Sequence, residues 1–120
     1  MLPKLSHQQT LEPVYLAYLD ALAQSNYCGD IDKRYSARLA QATDNSVYQF
    51  LPQAILYPKT QADVRLIMTL ATKQEFEKVV FSARGGGTGT NGQSLTHGLV
   101  LDLSRYFNQV IEINEKERWV

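Results

Sequence analysis

Apolar residues recur at helical spacing early in the chain and at strand spacing later, and that change of period organises it. Leu11, Tyr15, Tyr18, Leu19 and Leu22 fall on one stripe, which predicts an amphipathic helix running to about Gln24. Thr10 stands where an N-cap belongs, and Glu12 and Pro13 occupy the first turn, where an acid and a residue without an N–H are both favoured. Asn26 to Asp30 reads as a break. Ile31 to Ala42 is ambiguous, with a short helix around Ser36 to Gln41. Asp44-Asn45-Ser46 predicts a turn, because these side chains bond back to nearby backbone.

The second half has sharper edges. Ala54-Ile55-Leu56-Tyr57 predicts a short strand stopped by Pro58, and Thr60 with Asp63 predicts a capping box at the start of a helix. Val64, Ile67, Met68 and Ala71 at i, i+3, i+4 and i+7 give that helix its apolar face. Lys78 to Ser82 predicts the next strand, about twenty residues on, enough for a right-handed helical crossover and a parallel pairing. Leu99 to Leu103 and Gln109 to Ile113 predict two more strands, and Arg118-Trp119-Val120 reads as the beginning of another. The fold class is therefore α+β: an N-terminal helix, a βαβ unit and further strands.

Composition narrows the function classes. Twelve basic and twelve acidic residues cancel, so nothing suggests a chain that binds nucleic acid electrostatically. No apolar run has membrane-spanning length, Met1 to Thr10 lacks the apolar core of a signal peptide, and a cytoplasmic protein is the default. Cys28 is the single cysteine, which excludes an internal disulfide, and it reads as an inert thiol. His7 reads as part of a loose terminus and His97 as a turn residue. With 120 residues ending on a strand-like run, the chain is expected to be part of a longer polypeptide whose missing half would cover Trp119.

The chemistry concentrates in Ala83-Arg84-Gly85-Gly86-Gly87-Thr88-Gly89-Thr90-Asn91-Gly92-Gln93-Ser94, where five of the chain's seven glycines lie within eight residues. Such a run can turn successive backbone N–H groups toward one point and so bind an anion, most often a phosphate. Gly87 to Gly92 matches the G-x-G-x-x-G of a Rossmann dinucleotide site, but that site needs a helix opening at the last glycine. Only Gln93 to Gly98 separate the loop from the next strand, too few for such a helix. A Walker loop fails because no Lys-Ser or Lys-Thr pair follows the glycines. Three readings stay open: a phosphate cradle between two strands, a nicotinamide-type domain, and a long hairpin connection in a non-binding structural or interaction segment. For Arg84 the choice is between phosphate contact and a solvated charge or a pair with a carboxylate such as Asp102; for Asp44 and Ser46, between approach to a ligand and an Asx turn.

The strand–glycine loop–strand order resembles the flavin domain of the vanillyl-alcohol oxidase / para-cresol methylhydroxylase family, the FAD-linked oxidases, in which an Arg-Gly-Gly-Gly-Thr segment wraps the FAD pyrophosphate. Pro58-Lys59-Thr60-Gln61-Ala62-Asp63-Val64 is similar to the family's helix start after the first strand, and Gly98 to Ser104 and Val110 to Ile113 to its later strands. Thr43 to Tyr48 with Pro52 resembles the lead-in of the D-2-hydroxyacid dehydrogenase branch, which includes D-lactate dehydrogenases, glycolate oxidase subunits and D-2-hydroxyglutarate dehydrogenases. The resemblance covers roughly Gly29 to Val120 and is strongest to those D-2-hydroxyglutarate dehydrogenases that join the flavin domain to an iron–sulfur module.

The resemblance implies a helical lead-in over 1–50 and the first half of a PCMH-type FAD-binding domain over 51–120. Carried over residue by residue, Gly85, Gly86, Gly87, Thr88, Gly89 and Thr90 would hold the pyrophosphate, with Arg84 and Asn91 beside them. Gln93 and Ser94 would lie near the ribityl or flavin end, and Pro58 near the cofactor at the first strand's end. Threonine at position 88 stands where some members carry a flavin-linking histidine, so the FAD would be non-covalent; His97 lies outside that position. The implied partners are a small 2-hydroxy acid and an electron acceptor. Catalytic residues and any iron–sulfur cluster would lie beyond these residues, and a flavin domain lacking its second half would expose apolar surface and self-associate.

Overall fold

The computed structural model describes residues 10–120, so the readings of His7 and of the first nine residues lie outside the described residues. In chain order the elements are α1 (Pro13–Ala23), β1 (Asp30–Asp32), α2 (Tyr35–Ala40), β2 (Ala54–Tyr57), α3 (Gln61–Ala71), a 3-10 turn (Gln74–Phe76), β3 (Phe81–Arg84) and β4 (Leu99–Asp102). The strands form one mixed sheet in the order β1-β2-β4-β3. No helix among the described residues is long and apolar enough to cross a membrane.

The central strands β2 and β4 are parallel, with Ala54 opposite Leu99 and Leu56 opposite Leu101, and both are buried throughout. Strands covered on both faces read as unbroken apolar runs, which is why these two were legible. β3 flanks β4 in parallel, and β1 flanks β2 antiparallel. The expected direct pairing of β2 with β3 needs correcting, since β4 lies between them.

Residues opposite one another in register share a face. Ala54, Leu56, Leu99, Leu101 and Phe81 meet Tyr18, Leu19 and Leu22 of α1, Ile67 of α3 and Phe76 in the main core. Tyr18 is its centre: the buried ring stands edge-on to Phe76 at 5.2 Å and to Phe81 at 5.6 Å, and its hydroxyl donates to the Ile67 carbonyl at 2.8 Å. That bond satisfies the one polar atom the ring carries inward, and burial pushes the hydroxyl's pKa upward. On the other face, Ile55, Tyr57 and Val100 are covered by Ala37 of α2.

Several expectations differ from the structure for identifiable reasons. Thr10 does not cap α1. Glu12 is the N-cap residue, without a side-chain cap bond, because Gln53 engages it: the Glu12 N–H donates to Gln53 Oε1 at 2.8 Å and Gln53 Nε2 to the Glu12 carboxylate at 3.2 Å. β1 falls in the stretch read as a break and an ambiguous region, where Asp30 and Asp32 mask an edge strand. α2 begins one residue earlier than expected. The capping box at Thr60 and Asp63 is present, but the buried face of α3 is Asp63, Ile67 and Leu70, and Met68 is exposed. β3 starts three residues late because the 3-10 turn carries the chain through Val79, whose N–H donates to the Phe76 carbonyl. Gln109 to Ile113 is exposed and unpaired, and beyond it the only pairing among the described residues is a bridge between Asn114 and Trp119.

Candidate functional site

The parallel register puts the ends of β2, β4 and β3 on one sheet edge, with Arg84 opposite Asp102. The chain leaves that edge at Gly85 and re-enters the opposite one at Leu99, with no helix between. Two earlier alternatives fall here. A Rossmann site lacks its helix, and a hairpin cannot join parallel strands. Residues 85–98 are a helix-less crossover lying along the second face: Ser82 Oγ donates to the Gln93 carbonyl at 2.9 Å, and Arg84 Nη1 reaches Ser94 Oγ at 3.5 Å.

The loop is held open by specific contacts. Gly87 (φ 68°) and Gly92 (φ 73°) adopt the left-handed conformation that other residues take only at a cost. A Cβ on Gly87 would collide with the Arg84 guanidinium, 2.6 Å from its Cζ, so Arg84 folds back over the loop. Gln93 braces the far side: its Oε1 accepts from the Asn91 N–H at 3.1 Å, and its amide fills the space where a Gly89 side chain would stand. Gly98 packs against the Val80 carbonyl, its amide donates to Thr96 Oγ1, and its own carbonyl accepts from the Gln53 N–H at 2.7 Å.

Ala83, Gly85, Gly86, Gly87, Thr88, Gly89, Gln93 and Ser94 line a cavity of about 220 Å³. Among the described residues, no N–H from Gly85 to Thr90 donates to another group of the chain. Residues 83–98 contain no acidic side chain. Unspent backbone donors, two lining hydroxyls (Thr88 and Ser94) and a guanidinium at the rim suit a phosphate-type anion. The volume suits the diphosphate of a nucleotide and not the whole of one.

The structure gathers most of the expected site residues around this cavity and leaves others away from it. Thr90 and Asn91 are exposed beside the lining. Pro58 is fully buried at the end of β2, with β4 intervening, so it stands two strand spacings, roughly 10 Å, from β3. The pairing of Arg84 with Asp102 does not form: the Asp102 carboxylate accepts from the Ser104 N–H and hydroxyl at 2.9 and 2.6 Å and from Gln41 Nε2 at 3.0 Å. Asp44 makes the Asx turn, Oδ1 accepting from the Ser46 N–H at 2.8 Å, and Ser46's hydrogen bonds hold its carboxyl below the usual range. Unforeseen was the docking of this turn on the loop. The Asn45 N–H donates to the Gly89 carbonyl at 3.1 Å, and the Tyr48 ring stands 3.0 Å from where a Gly92 Cβ would be. The turn signal located Asp44 to Ser46, but no local pattern says which distant loop a turn will meet.

Residues 52–120 match the FAD binding domain family. The chain belongs to that family. It is 52% identical over all 120 residues to D-2-hydroxyglutarate dehydrogenase of Haemophilus influenzae and 44% identical to that of Escherichia coli. It spans only 12% of the length of each of these relatives. Among solved structures, an alkyldihydroxyacetonephosphate synthase superposes with a TM-score of 0.72 at 20% identity, over 92% of this chain and 22% of that one. The 4-ethylphenol oxidase of Gulosibacter chungangensis gives 0.67 at 23% identity, over 91% and 22%. These neighbours bear out the PCMH-type fold, and the family bears out FAD as the cofactor.

Proposed function

We propose that this chain is the N-terminal, pyrophosphate-holding part of a flavin-dependent oxidoreductase that oxidises a 2-hydroxy acid to the 2-oxo acid, the substrate being of the D-2-hydroxyglutarate, D-lactate or glycolate type. The observation that carries the reading is the row of N–H groups from Gly85 to Thr90, free of internal acceptors and set around a cavity without an acidic side chain. The D-2-hydroxyglutarate dehydrogenase relatives supply the substrate class.

In this reading Gly85, Gly86, Gly87, Thr88, Gly89 and Thr90 hold the diphosphate through backbone donors, and Thr88 and Ser94 add hydroxyls. Arg84 offsets the charge, with Asn91 beside it, Gln93 turns toward the ribityl side, and Pro58 closes the sheet edge nearby. A flavin held there would supply hydride acceptance for oxidation at the substrate's α-carbon. No residue lining the cavity is a base, so the cradle binds and orients and does not move protons. Thr88 stands where some members of the family carry a flavin-linking histidine and cannot form that bond, so in this reading the FAD is dissociable.

The further parts of the reading are a helical lead-in over 1–50 and the first half of the flavin domain over 51–120. The 2-hydroxy acid, its electron acceptor and any iron–sulfur cluster are engaged by other parts of a longer polypeptide in the cytoplasm. Exposed Val110, Ile111 and Ile113 make the isolated chain self-associate, which light scattering at rising concentration would detect.

The test is a calorimetric titration of FAD, with ADP as control, into this chain and into a hybrid in which residues 1–120 replace the matching segment of the Haemophilus influenzae relative. FAD binding by the hybrid that Gly86→Asp, a position with room for a side chain, abolishes supports the reading. A folded hybrid that ignores FAD overturns it.

A further inference from the structure

The turn Asp44 to Tyr48 is closed on itself by a bridge between Thr43 and Gln49 and docked on the glycine loop through Asn45 and Tyr48. Its one carboxylate has two separate tasks. Oδ1 accepts from the Ser46 N–H and so makes the turn. Oδ2 accepts from the Ser94 hydroxyl at 3.4 Å, and the same hydroxyl accepts from Arg84 Nη1 at 3.5 Å. Ser94 is 7% exposed and lines the cavity, so the link between acid and guanidinium passes through the wall of the cradle.

We propose that Asp44 is a positioning residue: acting through Ser94, it holds the Arg84 guanidinium at the rim of the cradle, where the diphosphate of a dinucleotide is received. This rests on the pyrophosphate reading above. A long arginine side chain at the end of an edge strand would otherwise be free to sweep solvent, and holding it in place lessens the ordering required when the anion arrives. Both contacts, at 3.5 and 3.4 Å, are longer than ordinary hydrogen bonds, so the link orients by charge more than by tight geometry. A carboxylate near an anion site also repels the anion directly, and that repulsion acts in the opposite sense to the positioning. The two effects separate because only the positioning requires Arg84.

The experiment is a double-mutant cycle on FAD affinity in the hybrid described above, followed by quenching of flavin fluorescence, using Asp44→Asn, Arg84→Ala and the double variant. Asparagine retains a side-chain oxygen for the Ser46 N–H, so the turn survives while the charge is lost. The expected result is an FAD affinity about three- to tenfold weaker for Asp44→Asn when Arg84 is present, in the range of coupling between neighbouring residues, and unchanged or tighter when it is absent. Ser94→Ala should weaken FAD at least as much as Asp44→Asn, because it removes a lining hydroxyl together with the link. A readout that needs no ligand is the Arg84 Nε–H resonance, expected to move to the position of mobile arginines in Asp44→Asn and Ser94→Ala. Equal weakening in both backgrounds, or an unmoved resonance, overturns the positioning role and leaves the cradle intact. If the folded wild-type hybrid takes up no FAD, or takes it up no better than Gly86→Asp does, the cradle reading fails and the positioning role falls with it.

Discussion

Alanine substitutions along the glycine run should separate what the fold requires from what a ligand requires. At Gly85 a Cβ would meet nothing within 4 Å, and at Gly86 it would meet only the Thr88 methyl at 3.6 Å, an ordinary contact. Neither has the left-handed φ seen at Gly87. Gly85→Ala and Gly86→Ala should therefore leave the folded state unstrained and reduce the freedom of the unfolded chain, a gain of about 0.4–1 kcal/mol. Gly87→Ala should cost about 1–2 kcal/mol for its positive φ, and Arg84 must move aside as well. Urea unfolding monitored by circular dichroism would rank the three.

FAD affinity should rank them differently. All three glycines line the cavity, so a methyl group at any of them holds the anion away from the backbone donors. Losing one charge-assisted hydrogen bond of about 1.5–3 kcal/mol weakens binding by about ten- to a hundredfold. Gly86→Ala is the decisive variant: at least as stable as wild type, yet much poorer at holding FAD. If it bound FAD as wild type does, the anion would not sit at this cavity. If it were as destabilised as Gly87→Ala, the glycine would be serving the fold and the reasoning would fail.

Other consequences concern the scaffold. The buried Asp63 carboxylate accepts from the backbone N–H groups of Cys28, Lys59 and Thr60 at 2.8–3.0 Å, so Asp63→Ala should cost about 3–5 kcal/mol in urea unfolding by orphaning three donors. Burial alone would raise this carboxyl's pKa, but those donors hold it below the ordinary value; its stabilisation is therefore present above about pH 4 and lost as pH falls through the folded value. Asp63→Asn should accordingly flatten the acid limb of the stability–pH curve. Gly98→Ala places a Cβ against the Val80 carbonyl, 2.9 Å from its carbon, and should lose about 1–3 kcal/mol or more by thermal unfolding. Ile67→Ala should cost about 2–5 kcal/mol while Met68→Ala, at 41% exposure, stays within about 0.5 kcal/mol, a contrast that checks the helix face.

What the chain disclosed in advance follows from how local each signal is. Strands β2 and β4 and the capping box were legible because burial on both faces and an N-cap with its N3 partner are written within a few residues. The face of α3 differs by one position because Met68 and Leu70 are both apolar, and which of them turns inward is set by tertiary packing, which buries Leu70 and leaves Met68 exposed. β1 was hidden because an edge strand tolerates Asp30 and Asp32, whose charges serve ion pairs with Lys59, Arg105 and Arg34 instead of the core. The glycine run announced an anion site, but the closure of that site was not local. For Arg84 the sequence offers Asp102, its partner in register, as one alternative to phosphate contact, whereas the structure turns it across the loop to Ser94, which also meets a turn fifty residues earlier. Pairs of that kind become visible only once β4 is inserted between β2 and β3, because the insertion lays the returning loop along the second face, within reach of the Asp44 turn. Strand order, which periodicity does not encode, is thus the step that turns a legible motif into a built site.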